Sequence, residues 1–102
     1  MSEFVKAIEA SSLSPGQGTE LTVGGKAVAL FNVSGTFYAI SNTCLHRGGP
    51  LGQGFLDGQT VTCPWHSWQY DVATGENVVN REMKVASYPV KVEDGQVLVK
   101  VE

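Results

Sequence analysis

Three features of this 102-residue sequence point to an all-β, antiparallel domain. Glycine accounts for 12 residues, above an average share of about 7%, so the chain turns often and its strands are short. Hairpin signals at Gly24-Gly25, Asp57-Gly58 and Asp94-Gly95 separate apolar, β-branched runs. No window of about 11 residues or more carries a convincing helical stripe. The length suits one domain. With 42% hydrophobic and 17% charged residues, a packed core is expected and disorder is not.

The elements follow in order. Phe4 to Ile8 is apolar but too short for periodicity to choose between a strand and a helical turn. Ser11 to Gly18, with its Ser, Pro and Gly, is a turn. Glu20–Val23 and Lys26–Val33 flank Gly24-Gly25 as a hairpin, and Ser34-Gly35 turns the chain into Thr36–Ile40, making a three-strand meander. Phe55 to Thr62 is a second hairpin turning at Asp57-Gly58. Val85–Glu93 and Gln96–Val101 form a third around Asp94-Gly95. Val97, Val99 and Val101 alternate with polar Gln96 and Lys100, so one face is buried and the other wet. Pro89 cannot donate to a ladder and predicts an edge position or a bulge. An antiparallel sandwich or small barrel accommodates all of this.

Charge and hydropathy remove several functions. A formal net charge of −3 argues against nucleic acid as a partner, because phosphate binding wants a basic face. No apolar run approaches the roughly 20 residues that span a bilayer. The opening residues lack the layout of a signal peptide, so the expected location is the cytoplasm. There a lone disulfide is disfavoured, and Cys44 and Cys63 read as buried thiols or as ligands.

Residues 41–80 hold both cysteines, both histidines, both tryptophans and half the glycines. The pattern is Cys44-x-His46, sixteen residues, then Cys63-x-x-His66. A mononuclear zinc finger usually groups Cys with Cys and His with His. Here each loop mixes one thiolate with one imidazole, so each can serve two metal atoms at once. A binuclear cluster needs that arrangement: Cys44 and Cys63 on one iron, His46 and His66 on the other. A single tetrahedral zinc is the alternative, since two sulfurs and two nitrogens suit it too.

At these residues the chain resembles the Rieske family, in which two histidines replace two cysteines on one iron of a [2Fe-2S] cluster. The likeness extends through Gly48-Gly49-Pro50-Leu51 and Cys63-Pro64-Trp65-His66 to Tyr70-Asp71 and Thr74-Gly75-Glu76. It is similar above all to the small Rieske-type ferredoxins that feed bacterial oxygenases, with the small subunit of assimilatory nitrite reductase next. The resemblance implies a Rieske fold, with a base at 1–40 and 71–102 and a cluster-binding insertion at about 41–70. It also implies one [2Fe-2S] cluster per chain and a monomeric one-electron carrier between a flavoprotein or iron–sulfur reductase and a terminal oxygenase or reductase. A catalytic mononuclear iron would want two more histidines and a carboxylate, and no histidine is left over. The chain is therefore expected to be an electron-transfer component and not an enzyme.

Charge explains the histidines. With two thiolates and two neutral imidazoles the oxidised cluster sums to zero, so reduction adds one negative charge to a neutral centre. An all-thiolate cluster would go from two negative charges to three. Rieske potentials accordingly span roughly −150 to +300 mV, against about −400 mV for plant-type ferredoxins. Respiratory Rieske proteins carry a second cysteine pair at the positions of Gly49 and Trp65, and a serine donor to a sulfide at Trp68. Both are missing here, which puts the expected potential at the low end. The counterpart of Tyr70 donates to a cysteine sulfur in that family.

Gly48 and Gly49 are either turn glycines or let backbone N–H groups approach the sulfides. Trp65 and Trp68 read first as packing residues, and Arg47 as a solvated charge that would also suit a partner's carboxylate. Leu45, Arg47, Pro50, Leu51, Pro64 and Trp65 form the expected docking rim.

Overall fold

In the computed structural model, residues 4–45, 49–65 and 68–101 are described. Among them, ten strands form three antiparallel sheets. The first has the order β1 (Val5–Glu9), β10 (Gln96–Val99), β9 (Val90–Glu93). The second runs β2 (Gln17–Val23), β3 (Lys26–Val33), β4 (Thr36–Ser41), β8 (Ser87–Tyr88). The third is β5 (Phe55–Asp57), β6 (Thr60–Thr62), β7 (Gln69–Asp71).

The second sheet lies in the middle, covered on both faces. Val28, Ala29, Leu30 and Phe31 on β3 are all fully buried, which is why this strand reads as an unbroken apolar run and not as an alternation. Val28 and Leu30 pack towards the first sheet, with Leu13, Ala39, Val97 and Val99. Ala29, Phe31 and Ile40 face the opposite way and pack with Val61, Tyr70, Val72, Val85 and the two cysteines. Side chains of this size contribute about 1.5–3 kcal/mol each when fully buried.

Local turn chemistry builds the meander as expected. Val23 pairs with Lys26 across Gly24-Gly25, and Val33 with Thr36 across Ser34-Gly35. All four turn residues have positive φ, as a two-residue turn matching the strand twist requires. Phe4 to Ile8 resolves as a strand, and the Ser11–Gly18 turn shrinks between a one-turn 3-10 helix at Ala10–Ser12 and the start of β2.

Two expectations need correction. The turn of the middle hairpin is Gly58-Gln59, because Asp57 pairs directly with Thr60 and still belongs to β5. Val85–Glu93 is not one strand. It splits at Pro89, with Ser87 and Tyr88 pairing to β4 while Val90 to Glu93 pair to β10. A residue without an N–H suits the point where the chain leaves one ladder for another, and the Pro89 carbonyl still accepts the Lys100 N–H at 3.0 Å.

The turn after β7 fastens the third sheet to this crossover. Gly75 donates to the Asp71 carbonyl at 2.7 Å and accepts from the Val85 N–H at 2.9 Å. Its φ is +81° and a Cβ there would collide with the Val85 carbonyl. Gly75→Ala is therefore expected to lower the urea midpoint, the left-handed backbone alone costing roughly 1–2 kcal/mol. An unchanged midpoint would show that this turn is not held as described.

Candidate metal centre

Two hairpin necks present the cysteines. In the first, Asn42 accepts from the Leu51 N–H at 2.8 Å, and the Cys44 N–H donates to the Gly49 carbonyl at 2.9 Å. In the second, Thr62 pairs with Gln69, and the Cys63 N–H donates to the Trp68 carbonyl at 2.7 Å. Among the described residues, each cysteine is thus the last backbone-paired residue of its neck. His46, Arg47 and Gly48 in one tip, and His66 with Ser67 in the other, lie outside the described residues.

The necks bring both cysteines into the core. Cys44 and Cys63 are 1% and 2% exposed, carry no disulfide, and belong to one buried cluster. Burial pushes the Cys63 thiol up, a trend that the Trp65 backbone N–H opposes by donating to its sulfur. Two soft sulfurs in one apolar cluster suit a shared metal atom.

Gly49 and Tyr70 complete the surroundings. A Cβ at Gly49 would stand 2.7 Å from Cys63 Sγ and 3.1 Å from Trp65 Cγ. Its φ is not in the left-handed region, so close approach to the sulfur, rather than turn geometry, calls for glycine here. The buried Tyr70 hydroxyl lies 3.3 Å from Cys44 Sγ and accepts the Leu45 N–H at 3.1 Å. Burial, followed by its contact with Cys44, pushes this hydroxyl up to about 12, so at neutral pH it keeps the proton it needs to donate to sulfur.

The expected rim divides. Leu45 and Trp65 are 48% and 49% exposed, Pro64 is exposed and Pro50 half-buried. Leu51 is fully buried and does not belong to any rim. It begins a one-turn 3-10 helix, Leu51–Gln53, and packs into the core beside the cysteines. Trp68 is half-buried against the same core.

Anchoring residues escaped the sequence reading. Asn42 donates its backbone N–H to the Ala27 carbonyl at 3.1 Å and accepts the Gly52 N–H on Oδ1 at 2.7 Å. Its Nδ2 donates to Glu20 Oε2 at 2.8 Å, while Gln53 Nε2 donates to Glu20 Oε1 at 2.7 Å. These two amides hold the Glu20 carboxyl below its ordinary value. The loop that carries Cys44 is thereby tied to β2 and β3. Nothing in the sequence links Glu20 to a loop more than twenty residues away; only the strand pairing does.

An all-β chain whose two paired-neck loops place two buried cysteines in one apolar cluster supplies the sulfur half of what a cysteine-and-histidine iron–sulfur centre asks of a protein. The chain belongs to the Rieske [2Fe-2S] domain family, which matches residues 3–89, and that membership implies a single [2Fe-2S] cluster. It is 34% identical over 100 residues to the ferredoxin component of the naphthalene 1,2-dioxygenase/salicylate 5-hydroxylase systems of Ralstonia sp., covering 97% of this chain and 96% of that one. Among solved structures, it superposes with a TM-score of 0.88 and 32% identity on the ferredoxin in a complex of reduced oxygenase and oxidised ferredoxin of carbazole 1,9a-dioxygenase, covering 97% of this chain and 94% of that one. A protein described as an NADH-dependent nitrite reductase small subunit from Mycobacterium tuberculosis gives a TM-score of 0.91 at 23% identity, over 100% of this chain and 97% of that one. At that identity the likeness speaks for the fold alone.

Gly49→Ala is expected to lower the iron content of the purified protein, since its methyl group must displace the Cys63 sulfur or Trp65. Forcing a methyl group into a packed site costs about 1–3 kcal/mol, so denaturation should show the same strain. Full iron loading in this variant would mean that the contact with Cys63 does not constrain the site.

Proposed function

We propose that this chain is the ferredoxin component of a multicomponent oxygenase system. It takes single electrons from a flavoprotein or iron–sulfur reductase and delivers them to a terminal oxygenase, without catalysing the oxygenation itself. The observation that carries this reading is the pair of unbridged cysteines buried in one cluster, with the Tyr70 hydroxyl on one of them. The ferredoxin relatives, one of them captured with its oxygenase, support it. The nitrite reductase reading has the fold in its favour but no comparable identity.

We assign Cys44 and Cys63 to one iron and His46 and His66 to the other. Once bound, the cluster accepts one electron and returns it. The residues around it set the conditions for that exchange. Tyr70 would donate to a ligating Cys44 thiolate, and Gly49 leaves room for the Cys63 sulfur. Leu51, Val61 and Val72 exclude water. Trp68 stands where respiratory relatives have a hydroxyl donor, which favours a low potential. Residues 1–40 and 71–102 serve as the base and about 41–70 as the cluster-binding insertion. No helix of the described residues is long and apolar enough to cross a membrane, and we place the working protein in the cytoplasm as a monomer.

Outer-sphere transfer needs the centre near the surface, and Leu45, Pro64 and Trp65, next to the two cysteines in sequence, are exposed. We assign these three to the docking rim, and Arg47 joins them by its place in the sequence beside His46. Redox encounters bury little area, so a few contacts dominate. In stopped-flow transfer from the reduced protein to a terminal oxygenase, Trp65→Ala and Arg47→Glu are each expected to slow the rate several-fold while spectrum and potential stay near wild type. Arg47→Glu should also change its salt dependence. Glu93→Lys, on a strand of the first sheet, should matter less. Slowing by Glu93→Lys with both rim variants silent would place docking elsewhere and defeat this reading.

A further inference from the structure

The two loops that carry the cysteines are held by different means. Cys63 extends a ladder, in which Thr60, Val61 and Thr62 of β6 pair in turn with Asp71, Tyr70 and Gln69 of β7. The neck of Cys44 is thinner. Among the described residues it has an isolated bridge, Thr43 with Pro50, and no strand ladder, and Pro50 has no N–H to give to one. Side chains take over. Glu20 on β2 accepts Asn42 Nδ2 on one carboxylate oxygen at 2.8 Å and Gln53 Nε2 on the other at 2.7 Å. Asn42 lies two residues before Cys44, and Gln53 is the last residue of the one-turn helix that follows the loop. One carboxylate therefore grips the loop at both of its ends.

The backbone is shaped for this grip. Asn42 Oδ1 accepts the Gly52 N–H at 2.7 Å. A Cβ at Gly52 would stand 2.7 Å from Glu20 Cγ and 2.8 Å from the Thr19 carbonyl oxygen, so only glycine lets the helix lie flush on β2. Both bonds to Glu20 are charge-assisted and exposed to solvent.

We propose that Glu20 is a positioning residue for the metal centre: by gripping Asn42 and Gln53 it holds the Cys44 loop in place, and so sets how slowly the chain gives up its iron. The inference rests on Cys44 being a ligand, as proposed above. A loop can open locally at a free energy below that of global unfolding. The Cys44 loop cannot lift from β2 without breaking both bonds to Glu20, whereas the core between the first and second sheets stays closed. The competing reading is that the network merely stabilises the base, in which case iron loss would follow global stability.

Glu20→Gln keeps one acceptor oxygen but turns an NH₂ group on the second amide. Asn42→Asp sets two carboxylates against each other. Each is expected to speed iron release from the loaded protein into excess chelator at neutral pH about fivefold, ~1 kcal/mol. Joined in one chain, the two substitutions re-form the contact with donor and acceptor exchanged, and release should return close to the wild-type rate. Val97→Ala, in the core between the first and second sheets, should lower the urea midpoint more than either and leave release unchanged. An unchanged rate in Glu20→Gln, a double variant no slower than its faster parent, or release that follows the urea midpoint through Val97→Ala overturns the inference and leaves the ligand assignment standing. If Asn42→Asp fails to load, Gln53→Ala removes only the other amide. It should speed release as Glu20→Gln does, and an unchanged rate there also overturns the inference. Iron retained in full by Cys44→Ser strikes first at Cys44 as a ligand, and the inference goes with it.

Discussion

Two cysteine sulfurs buried in one apolar cluster are the constraint on which the rest of this protein depends. A pair of thiolates in an apolar core, left without a counter-charge, would cost several kcal/mol. Burial accordingly pushes the Cys63 thiol up. A metal reverses this by supplying the positive charge that the core withholds, and its binding must release protons. The apolar shell built from Phe31, Ile40, Leu51, Val61, Val72 and Val85 is thus at once the third sheet's attachment to the central sheet and the dielectric of the centre. Packing of the third sheet and binding of a metal at the two cysteines would share one set of contacts.

The hydrogen bonds around the site follow from that constraint. Both cysteines close hairpin necks through their own N–H groups, so their backbone needs are met before any metal arrives. Polar groups then meet the sulfurs: the Tyr70 hydroxyl lies 3.3 Å from Cys44 Sγ, and the Trp65 N–H donates to Cys63. Respiratory relatives hold their two loops together with a disulfide. In this chain, Gly49 leaves room for Cys63 and Trp65 to close over it, while Glu20, Asn42 and Gln53 tether the first loop to the base. Packing and amide bonds do here what a covalent link does there.

What could be read from the sequence was what is local. Gly24-Gly25, Ser34-Gly35 and Asp94-Gly95 marked their hairpins because positive φ is written into those residue types. The mixed Cys–His spacing pointed to a two-metal centre because each loop repeats it. Features that depend on distant partners were hidden. Pro89 hinted at an irregularity but could not say that the chain changes sheets there. Leu51 looked like an exposed rim residue beside Pro50, yet a one-turn helix rotates it into the core. Asn42 has ordinary loop neighbours in sequence, and only the pairing of strands reveals that it holds Glu20.

The central claim is that one cysteine pair and one histidine pair hold a single redox centre, and nitrogen ligation tests it most directly. Pulsed electron paramagnetic resonance on the reduced protein, labelled with nitrogen-15 only in histidine, should show a one-electron signal coupled to two imidazole nitrogens. Replacing either His46 or His66 should remove one of the two couplings or prevent the centre from forming. A paramagnetic signal with no histidine coupling, or a protein filled with zinc and silent on reduction, would contradict the account.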